Sequence, residues 1–301
     1  MSTSPYEEAL AAVAMARPEV VVLTAENRAA LRDLPARLGP RFIDVGICEQ
    51  TLVGAAAGLA LGGRIPVVHA LATFLTMRAF EFIRSDVGLA GLPVKLVGSV
   101  PGFLSGANGP THQAIEDVGL MRLVPGVEIF CPADEEELVA GLPLAVASPR
   151  PVYVRHLATP ARFPHQPFTW GRAEVVGAGP DVAIIAAGYL VGEAWGALGI
   201  LWEQGVRGRL VNLRTVAPLD EEAVLAAARE ARLVVTLEDH LATGGVHSAV
   251  VELLARADVA ARVLPVALAG PFVAAPPLEA LAREEFTALH LARRIAAAID
   301  G

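Results

Sequence analysis

Several residue types are scarce in this sequence, and each scarcity excludes a class of protein. Cys48 and Cys131 are the two cysteines among 301 residues, too few for a disulfide framework and wrongly spaced for a zinc site. Lysine occurs once, at Lys95, no stretch is rich in lysine or arginine, and the formal net charge is −8. Nucleic acids and anionic membranes are therefore poor partners. We expect both cysteines to be small core residues.

Long apolar runs are also missing. No uninterrupted run approaches the length of about 18 apolar residues that a membrane-spanning helix needs. The segment from Met1 to Met15 includes Glu7 and Glu8 but no basic cluster, whereas a signal peptide begins with positive charge. The sequence thus predicts a cytoplasmic protein that does not bind membranes.

Short runs rich in β-branched residues alternate with alanine- and leucine-rich segments along the chain. Apolar strands of this kind are typical of parallel sheets covered by helices on both faces. Segments 51–61 and 221–231 have the composition and length of helices between strands. The predicted fold class is α/β, with strands at 20–23, 42–45, 66–68, 94–97, 127–130, 152–154, 182–185, 209–213, 233–237 and 263–266.

A proline-rich break divides the chain. Pro160, Pro164 and Pro167 interrupt any regular element in this part of the sequence. The parts before and after the break each have the length of one doubly wound domain. We therefore predict two such domains, and the predicted ranges are 1–162, a linker at 163–172, and 173–301.

One motif places a carboxylate directly after a predicted strand. Residues 44–50 read Asp-Val-Gly-Ile-Cys-Glu-Gln and lead into the Ala/Gly-rich segment 54–60. Glu49 alone could be a glutamate at a helix start, where the helix dipole favours negative charge. A second motif favours a functional role, because Gly-Pro-Thr-His at 109–112 holds His112 on a rigid loop.

A third motif, at residues 72–81, places Phe74 and Phe80 after a strand. In order and spacing, the three motifs resemble the pyrimidine-binding domain of transketolases and 1-deoxyxylulose-5-phosphate synthases. The resemblance continues through Cys-Pro-Ala-Asp at 131–134 and the strand that ends in Arg155. It also covers the family's C-terminal domain, through Val-Asn-Leu-Arg at 211–214 and Glu-Asp-His at 238–240.

The resemblance implies thiamine diphosphate as cofactor and a role for each matching residue. Glu49 would engage a nitrogen of the aminopyrimidine ring, so that the cofactor can lose its thiazolium proton. Ile47 and Phe74 would contact that ring, Phe74 by stacking. Phe80 is the alternative stacking residue, because the alignment around 75–77 is ambiguous by one residue, and Phe74 as a plain core residue is a further alternative.

The resemblance also implies substrate contacts, and several of these positions depart from the family. His112 would act as a catalytic residue that hydrogen-bonds substrate hydroxyls, and Arg155 would meet a substrate carboxylate or phosphate. The departing positions are Glu26 and Asn108, which stand where the family has aspartates, and Ala30 and Val100, which replace a polar residue and a histidine. Each lost charge-assisted contact is worth about 1.5–3 kcal/mol. We therefore expect transfer of a two-carbon ketol unit from a ketose to a non-standard aldehyde-type acceptor.

One signature of the family is missing. The Gly-Asp-Gly…Asn motif, by which the family holds magnesium and diphosphate, does not occur in the sequence. In single-chain transketolases it belongs to a domain that precedes the region resembled here. With the start at Met1 and a complete second domain, we expect a naturally split enzyme. A separate N-terminal subunit would hold the diphosphate with Mg²⁺ or Ca²⁺, in an α2β2 heterotetramer.

Two other functions stay open. The beta subunit of a 2-oxoacid dehydrogenase shares both domains and the glutamate, although the Gly-Pro-Thr-His-Gln block favours transketolase. A scaffold subunit that has lost catalysis would have no need of an intact Glu49 and His112. The other histidines show no metal-ligand spacing, and we expect structural or surface positions for His69, His156, His165, His240, His247 and His290.

Overall fold

The computed structural model describes residues 4–300. Residues 1–3, at the start of the first predicted domain, and residue 301, at the end of the second, lie outside that range. The strands within it are β1 (Val20–Thr24), β2 (Phe42–Asp44), β3 (Ile65–Leu71), β4 (Lys95–Ser99), β5 (Glu128–Phe130), β6 (Val152–His156), β7 (Glu174–Gly177), β8 (Val182–Ala186), β9 (Gly208–Asn212), β10 (Thr215–Ala217), β11 (Leu233–Leu241) and β12 (Val263–Leu268). The helices are α1 (Pro5–Ala16), α2 (Leu34–Leu38), α3 (Glu49–Leu61), α4 (Phe80–Phe82), α5 (Asp117–Arg122), α6 (Glu135–Ala147), α7 (Val191–Glu203), α8 (Glu221–Glu230), α9 (Val246–Arg256), α10 (Pro277–Arg283) and α11 (Ala288–Asp300). Every predicted strand is a strand in the structure.

The strands form two mostly parallel sheets. The first has the order β10-β5-β6-β4-β3-β1-β2, and the second has the order β12-β11-β8-β9-β7. Two edge strands are antiparallel to their neighbours, β10 to β5 and β7 to β9. The predicted α/β class is confirmed. β7 and β10 were not predicted, and β10 joins the first sheet although it follows the predicted linker in sequence.

The central strands, such as β1, β4, β6 and β8, are buried because helices cover both faces of the sheets. Consecutive residues of a strand point to opposite faces, and β1 illustrates this arrangement. Val22 belongs to a cluster with Tyr6 of α1 and Leu138 of α6, whereas Val21 belongs to another cluster with Leu52 of α3. Burying each such side chain contributes about 1.5–3 kcal/mol, which fixes the loops at the strand ends. No helix within residues 4–300 has the length and apolarity to cross a membrane.

The two cysteines occupy different environments. Cys131 is fully buried, as predicted. The prediction for Cys48 was wrong, because this residue is partly exposed directly before α3, with its Sγ 2.8 Å from Thr51 Oγ1. β2 ends at Asp44, so Cys48 lies on a loop at the edge of the sheet and not inside it.

His165 lies in segment 157–173, which contains neither helix nor strand. It connects a residue before this segment, Asp134, to one after it, Glu174. Its Nε2 lies 2.6 Å from Asp134 Oδ2, and its Nδ1 lies 2.8 Å from Glu174 Oε2. Burial alone would lower the pKa of His165, but the hydrogen bonds to these carboxylates outweigh it and raise the pKa to about 10. His165 therefore carries a positive charge at neutral pH.

Glu137, His165 and Glu174 place one possible ligand atom each within 4.8 Å of one another, a spacing that could suit a metal ion. The carboxylate groups of the two glutamates already accept hydrogen bonds from other side chains. Arg214 Nε donates to Glu137 Oε1 at 2.7 Å, and the Asn212 amide donates to both glutamates at 2.8 and 3.2 Å. We assign the cluster a structural role.

Replacing His165 with Gln is expected to lower the free energy of unfolding by about 1.5–3 kcal/mol near neutral pH. The pKa rises from 6.5 to about 10 on folding. The stabilisation is therefore complete below about pH 6.5 and is lost as the pH rises through the folded pKa. Thermal unfolding of both proteins at about pH 6, 8 and 10 checks this. A stability difference between wild type and His165→Gln that grows with pH would contradict the prediction. The control is His290→Gln, which changes a partly exposed histidine of α11.

Candidate active site

Five of the predicted site residues converge where the parallel strands of the first sheet end. In open α/β sheets, ligands bind at the carboxyl edge of the strands. The loops after β1, β2 and β3 enclose a pocket of 330 Å³ at this edge. Its lining residues are Ala25, Glu26, Asn27, Ile47, Glu49, Leu71, Phe74 and His112.

Glu49 reaches the pocket because the chain turns sharply between β2 and α3. Gly46 has φ +76°, a conformation that favours glycine, and its N–H donates to Asp44 Oδ1 at 2.9 Å. α3 begins at Glu49 itself, where the helix dipole stabilises a carboxylate. Glu49 is 2% exposed, and a buried charge needs a partner.

That partner is Arg78, which lies on a π-helical turn at Phe74–Arg78. Arg78 Nη1 donates to Glu49 Oε2 at 2.8 Å, and its guanidinium carbon lies 4.3 Å from the centroid of the Phe74 ring. Such turns are rare and are frequently found at functional sites. The turn places Arg78 against the ring of the residue four positions earlier, so that one cation contacts both the carboxylate and the aromatic ring.

His112 contacts the same aromatic ring. The ring centroids of His112 and Phe74 are 5.1 Å apart at an interplanar angle of 70°. His112 Nδ1 lies 3.0 Å from Thr111 Oγ1. The neighbouring Gln113 anchors the loop, because its amide donates to the Phe272 carbonyl at 2.8 Å and accepts from the Phe272 N–H at 3.0 Å. A segment after the linker thus fixes the position of His112.

The Asp44 carboxylate connects the loop after β1 to the loop after β2, beside Glu49. Its carboxylate accepts hydrogen bonds from the N–H groups of Gly46 and Glu26 and from Arg28 Nε, the last at 2.6 Å. Burial alone would raise the pKa of Asp44, but these donors outweigh it and lower the pKa. Glu26 has φ +56°, which few residues other than glycine adopt. The bond to the ionised Asp44 stabilises that conformation, which places Glu26 at the pocket.

Three of the predicted residues, Phe80, Asn108 and Arg155, do not line this pocket. Phe80, the alternative stacking residue, is half-buried and packs against the hydrophobic core. Of the two phenylalanines, Phe74 is therefore the one that borders the pocket. Asn108 is exposed at the end of the 3-10 helix Gly102–Asn108.

Arg155 requires a correction, because its position does not suit the predicted contact with substrate. Its side chain is 3% exposed, with Nε 2.8 Å from Asp117 Oδ2 and Nη1 2.5 Å from Asp239 Oδ1. Tyr153 also donates its hydroxyl to Asp117, at 2.7 Å. A guanidinium in such a network cannot meet a substrate anion without leaving buried carboxylates unpaired. Arg155 instead joins β6 to α5 and to β11 of the second sheet.

Pocket size alone does not identify the site. A pocket of 350 Å³ lies between residues 159–163 and α7. Its charged side chains are already paired, Arg162 with Glu193 and Asp134 with His165. The pocket at the strand ends differs in its position at the carboxyl edge of the sheet and in bringing the predicted residues Glu49, Phe74 and His112 together.

Sequence reasoning missed Arg78, Asp44 and Asn27. Asn27 Nδ2 donates to Ser99 Oγ at 2.8 Å and thereby ties the loop after β1 to the end of β4. Asp44 and Asn27 lie at or just after the carboxyl end of a strand, the edge at which sites are built. Their location at a strand end is the sequence signal that could have identified Asp44 and Asn27 as site residues. For Arg78, the corresponding signal is its place in the third motif.

The chain matches the models of two domains of one family. The transketolase pyrimidine-binding domain matches at residues 2–157, and the transketolase C-terminal domain matches at residues 171–290. The chain therefore belongs to the transketolase family, and the resemblance predicted from its motifs is confirmed.

Individual relatives add detail to this assignment. The chain is 39% identical over 254 residues to a 6-deoxy-6-sulfo-D-fructose transketolase subunit of Clostridium sp. (strain MSTE9). The aligned region covers 83% of this chain and 79% of the relative. It is 37% identical over 305 residues to a 1-deoxy-D-xylulose-5-phosphate synthase of Synechococcus sp. (strain JA-2-3B'a(2-13)), of which it spans 46%. A solved split-gene transketolase, described as an inactive beta4 tetramer, superposes with a TM-score of 0.89 and 33% identity over 98% of this chain and 97% of that one. The predicted similarity to one subunit of a split transketolase is confirmed.

Proposed function

We propose that the chain is the C-terminal subunit of a split, thiamine-diphosphate-dependent transketolase. The assembled enzyme would move a two-carbon ketol unit from a ketose donor to an aldehyde-type acceptor. The observation that carries the proposal is Glu49, a carboxylate 2% exposed that begins α3 and faces the same pocket as Phe74. The similarity to a transketolase subunit over most of both chains supports it.

The pocket residues suit the pyrimidine half of the cofactor, since a planar ring with a basic nitrogen needs an aromatic face and a carboxylate. When bound, thiamine diphosphate supplies an acidic thiazolium carbon and the amino group that deprotonates it. Glu49 would hold the proton at the ring nitrogen, and Phe74 would pack on the ring face. Ile47 is 72% exposed in the single chain. We propose that the cofactor and the partner subunit cover it and keep water from Glu49.

His112 and Glu26 border the same pocket and supply polar groups for the sugar. We propose that the His112 imidazole donates to or accepts from substrate hydroxyls, and that the Glu26 carboxylate accepts from one of them. For Asn108, which is exposed outside the pocket lining, we propose a contact with the acceptor. All of these roles are predictions for mutagenesis.

The diphosphate is assigned to a partner chain. Because the Gly-Asp-Gly…Asn signature is missing here, we propose that an N-terminal subunit holds the diphosphate and its Mg²⁺ or Ca²⁺ ion, in an α2β2 heterotetramer. The domain boundaries at 162 and 173 and the cytoplasmic location also stay predictions.

The proposed substrate is not an ordinary sugar phosphate. Ala30 and Val100 are apolar at positions where the family has polar groups, and Arg155 is committed to buried ion pairs. The 39%-identical relative is described as acting on 6-deoxy-6-sulfo-D-fructose, which carries a sulfonate at carbon 6. That sulfonated ketose is the first donor to test.

Thiamine diphosphate is expected to bind only when this chain is mixed with its N-terminal partner. Calorimetric titration of each chain alone and of the mixture, with Mg²⁺ present, measures this. With xylulose 5-phosphate and ribose 5-phosphate, we expect kcat/KM at least about tenfold below that for the true substrates, because charge-assisted contacts are lost.

Each alternative gives a different result. Efficiency typical of transketolases with those sugar phosphates would contradict the non-standard acceptor. Oxidation of a 2-oxoacid by the mixture would favour the beta subunit of a 2-oxoacid dehydrogenase. No cofactor binding, in a mixture that nonetheless assembles, would favour a scaffold.

A further inference from the structure

Arg78 makes, within this chain, the two contacts that the proposed function assigns to the pyrimidine ring. Its Nη1 donates to Glu49 Oε2 at 2.8 Å, and its guanidinium carbon lies 4.3 Å from the Phe74 ring centroid. A guanidinium is planar, donates hydrogen bonds in its plane and stacks on aromatic faces. These are the properties by which an aminopyrimidine would bind the same two side chains.

A second side chain also contacts the Phe74 ring, and Glu49 is accessible from one side. His112 packs against Phe74 with its ring centroid 5.1 Å away. Glu49 is almost fully buried, so a ring nitrogen can approach its carboxylate only from the pocket. Arg78, by contrast, has a side chain that is 41% exposed, and its long stem can carry the guanidinium into solvent.

We propose that Arg78 is an internal stand-in for the cofactor's pyrimidine ring. In the subunit without cofactor it pairs with Glu49, keeps that carboxylate directed at the pocket and covers Phe74. It leaves both residues when the ring binds. Arg78 is thus a positioning residue, and the inference rests on the proposed function because it concerns the ring that Glu49 and Phe74 would hold.

Two effects of opposite sign follow from this role. Without the guanidinium, the empty chain retains a buried carboxylate with no cation, which destabilises it. The cofactor, on the other hand, no longer has to displace a competing partner, so it binds more tightly. A residue that merely supports the fold would give the first effect alone, and a cofactor ligand would weaken binding.

The test uses Arg78→Met, which keeps the apolar stem, in two measurements. For the chain alone, we expect the Tm to fall by about 2–4 °C. This loss should vanish in the Glu49→Gln background, where no charge is left unpaired. For the complex with its N-terminal partner, calorimetric titration with thiamine diphosphate and Mg²⁺ should give a Kd about tenfold lower than wild type. Arg64→Met, on an exposed arginine whose guanidinium lies 3.4 Å from the Pro18 carbonyl, should change neither quantity.

The outcomes separate the inference from the proposed function. A wild-type complex that binds the cofactor, with an Arg78→Met complex that binds it equally or less tightly, overturns the stand-in role alone. A Tm loss that persists with Glu49→Gln also overturns it, because the pairing would then not be the cause. A wild-type complex that binds no thiamine diphosphate overturns the proposed function and the inference with it.

Discussion

Replacing Glu49 with Gln is expected to lower kcat of the assembled enzyme by about 10²- to 10⁴-fold, the range in which positioned acid–base groups contribute. The substituted amide would have nearly the same shape and could still accept a hydrogen bond from Arg78, but it cannot take up or release the proton at the ring nitrogen. The loss should therefore appear in kcat, with a smaller change in cofactor affinity. Steady-state kinetics at saturating cofactor measures it.

The matched control is Glu136→Gln. Glu136 lies in the first turn of α6, as Glu49 lies in the first turn of α3, but it is exposed and lies outside the pocket. We expect wild-type turnover from it. Size-exclusion chromatography and thermal unfolding should show that both variants assemble and fold. Retained turnover by an assembled Glu49→Gln enzyme would remove the central role proposed for this residue.

The fold was predictable because its signals are local. Apolar runs of the right length gave each of the predicted strands. The exceptions are the two antiparallel edge strands, β7 and β10. β10 is three residues long, and its partner β5 lies far away in sequence, so its pairing depends on tertiary contacts that no short window of sequence contains.

The site was predictable for a different reason. Glu49, Phe74 and His112 were found through the resemblance, and all three line one pocket. Side-chain pairing was not predictable. Arg155 pairs with Asp117, 38 positions away, and with Asp239, 84 positions away, and neither distance has a sequence signature. An arginine at the end of a strand therefore looked free for substrate.

Replacing Arg155 with Met is expected to lower the free energy of unfolding by about 3–5 kcal/mol, the cost of removing one partner from a buried ion pair. Asp117 and Asp239 are fully or almost fully buried, so neither can be solvated in place of the lost guanidinium. Urea-induced unfolding of the chain measures the change. Arg256→Met is the control, because Arg256 pairs with Glu221 at 3.1 Å on the surface, where such pairs contribute about 1 kcal/mol or less.

The pH dependence identifies the cause of this destabilisation. Burial raises the pKa of Asp239, and Arg155 offsets part of that shift. Without Arg155 the pKa rises further, so the folded variant gains stability relative to wild type as the pH falls towards about 4 and loses it as the pH rises. A second change, Asp239→Leu, should recover part of the loss at neutral pH, because it removes an unpaired carboxylate. If Arg155→Met instead kept wild-type stability and raised KM for the sugar, Arg155 would be the substrate ligand that its place in the sequence suggested, and the buried network would have to open in the assembled enzyme.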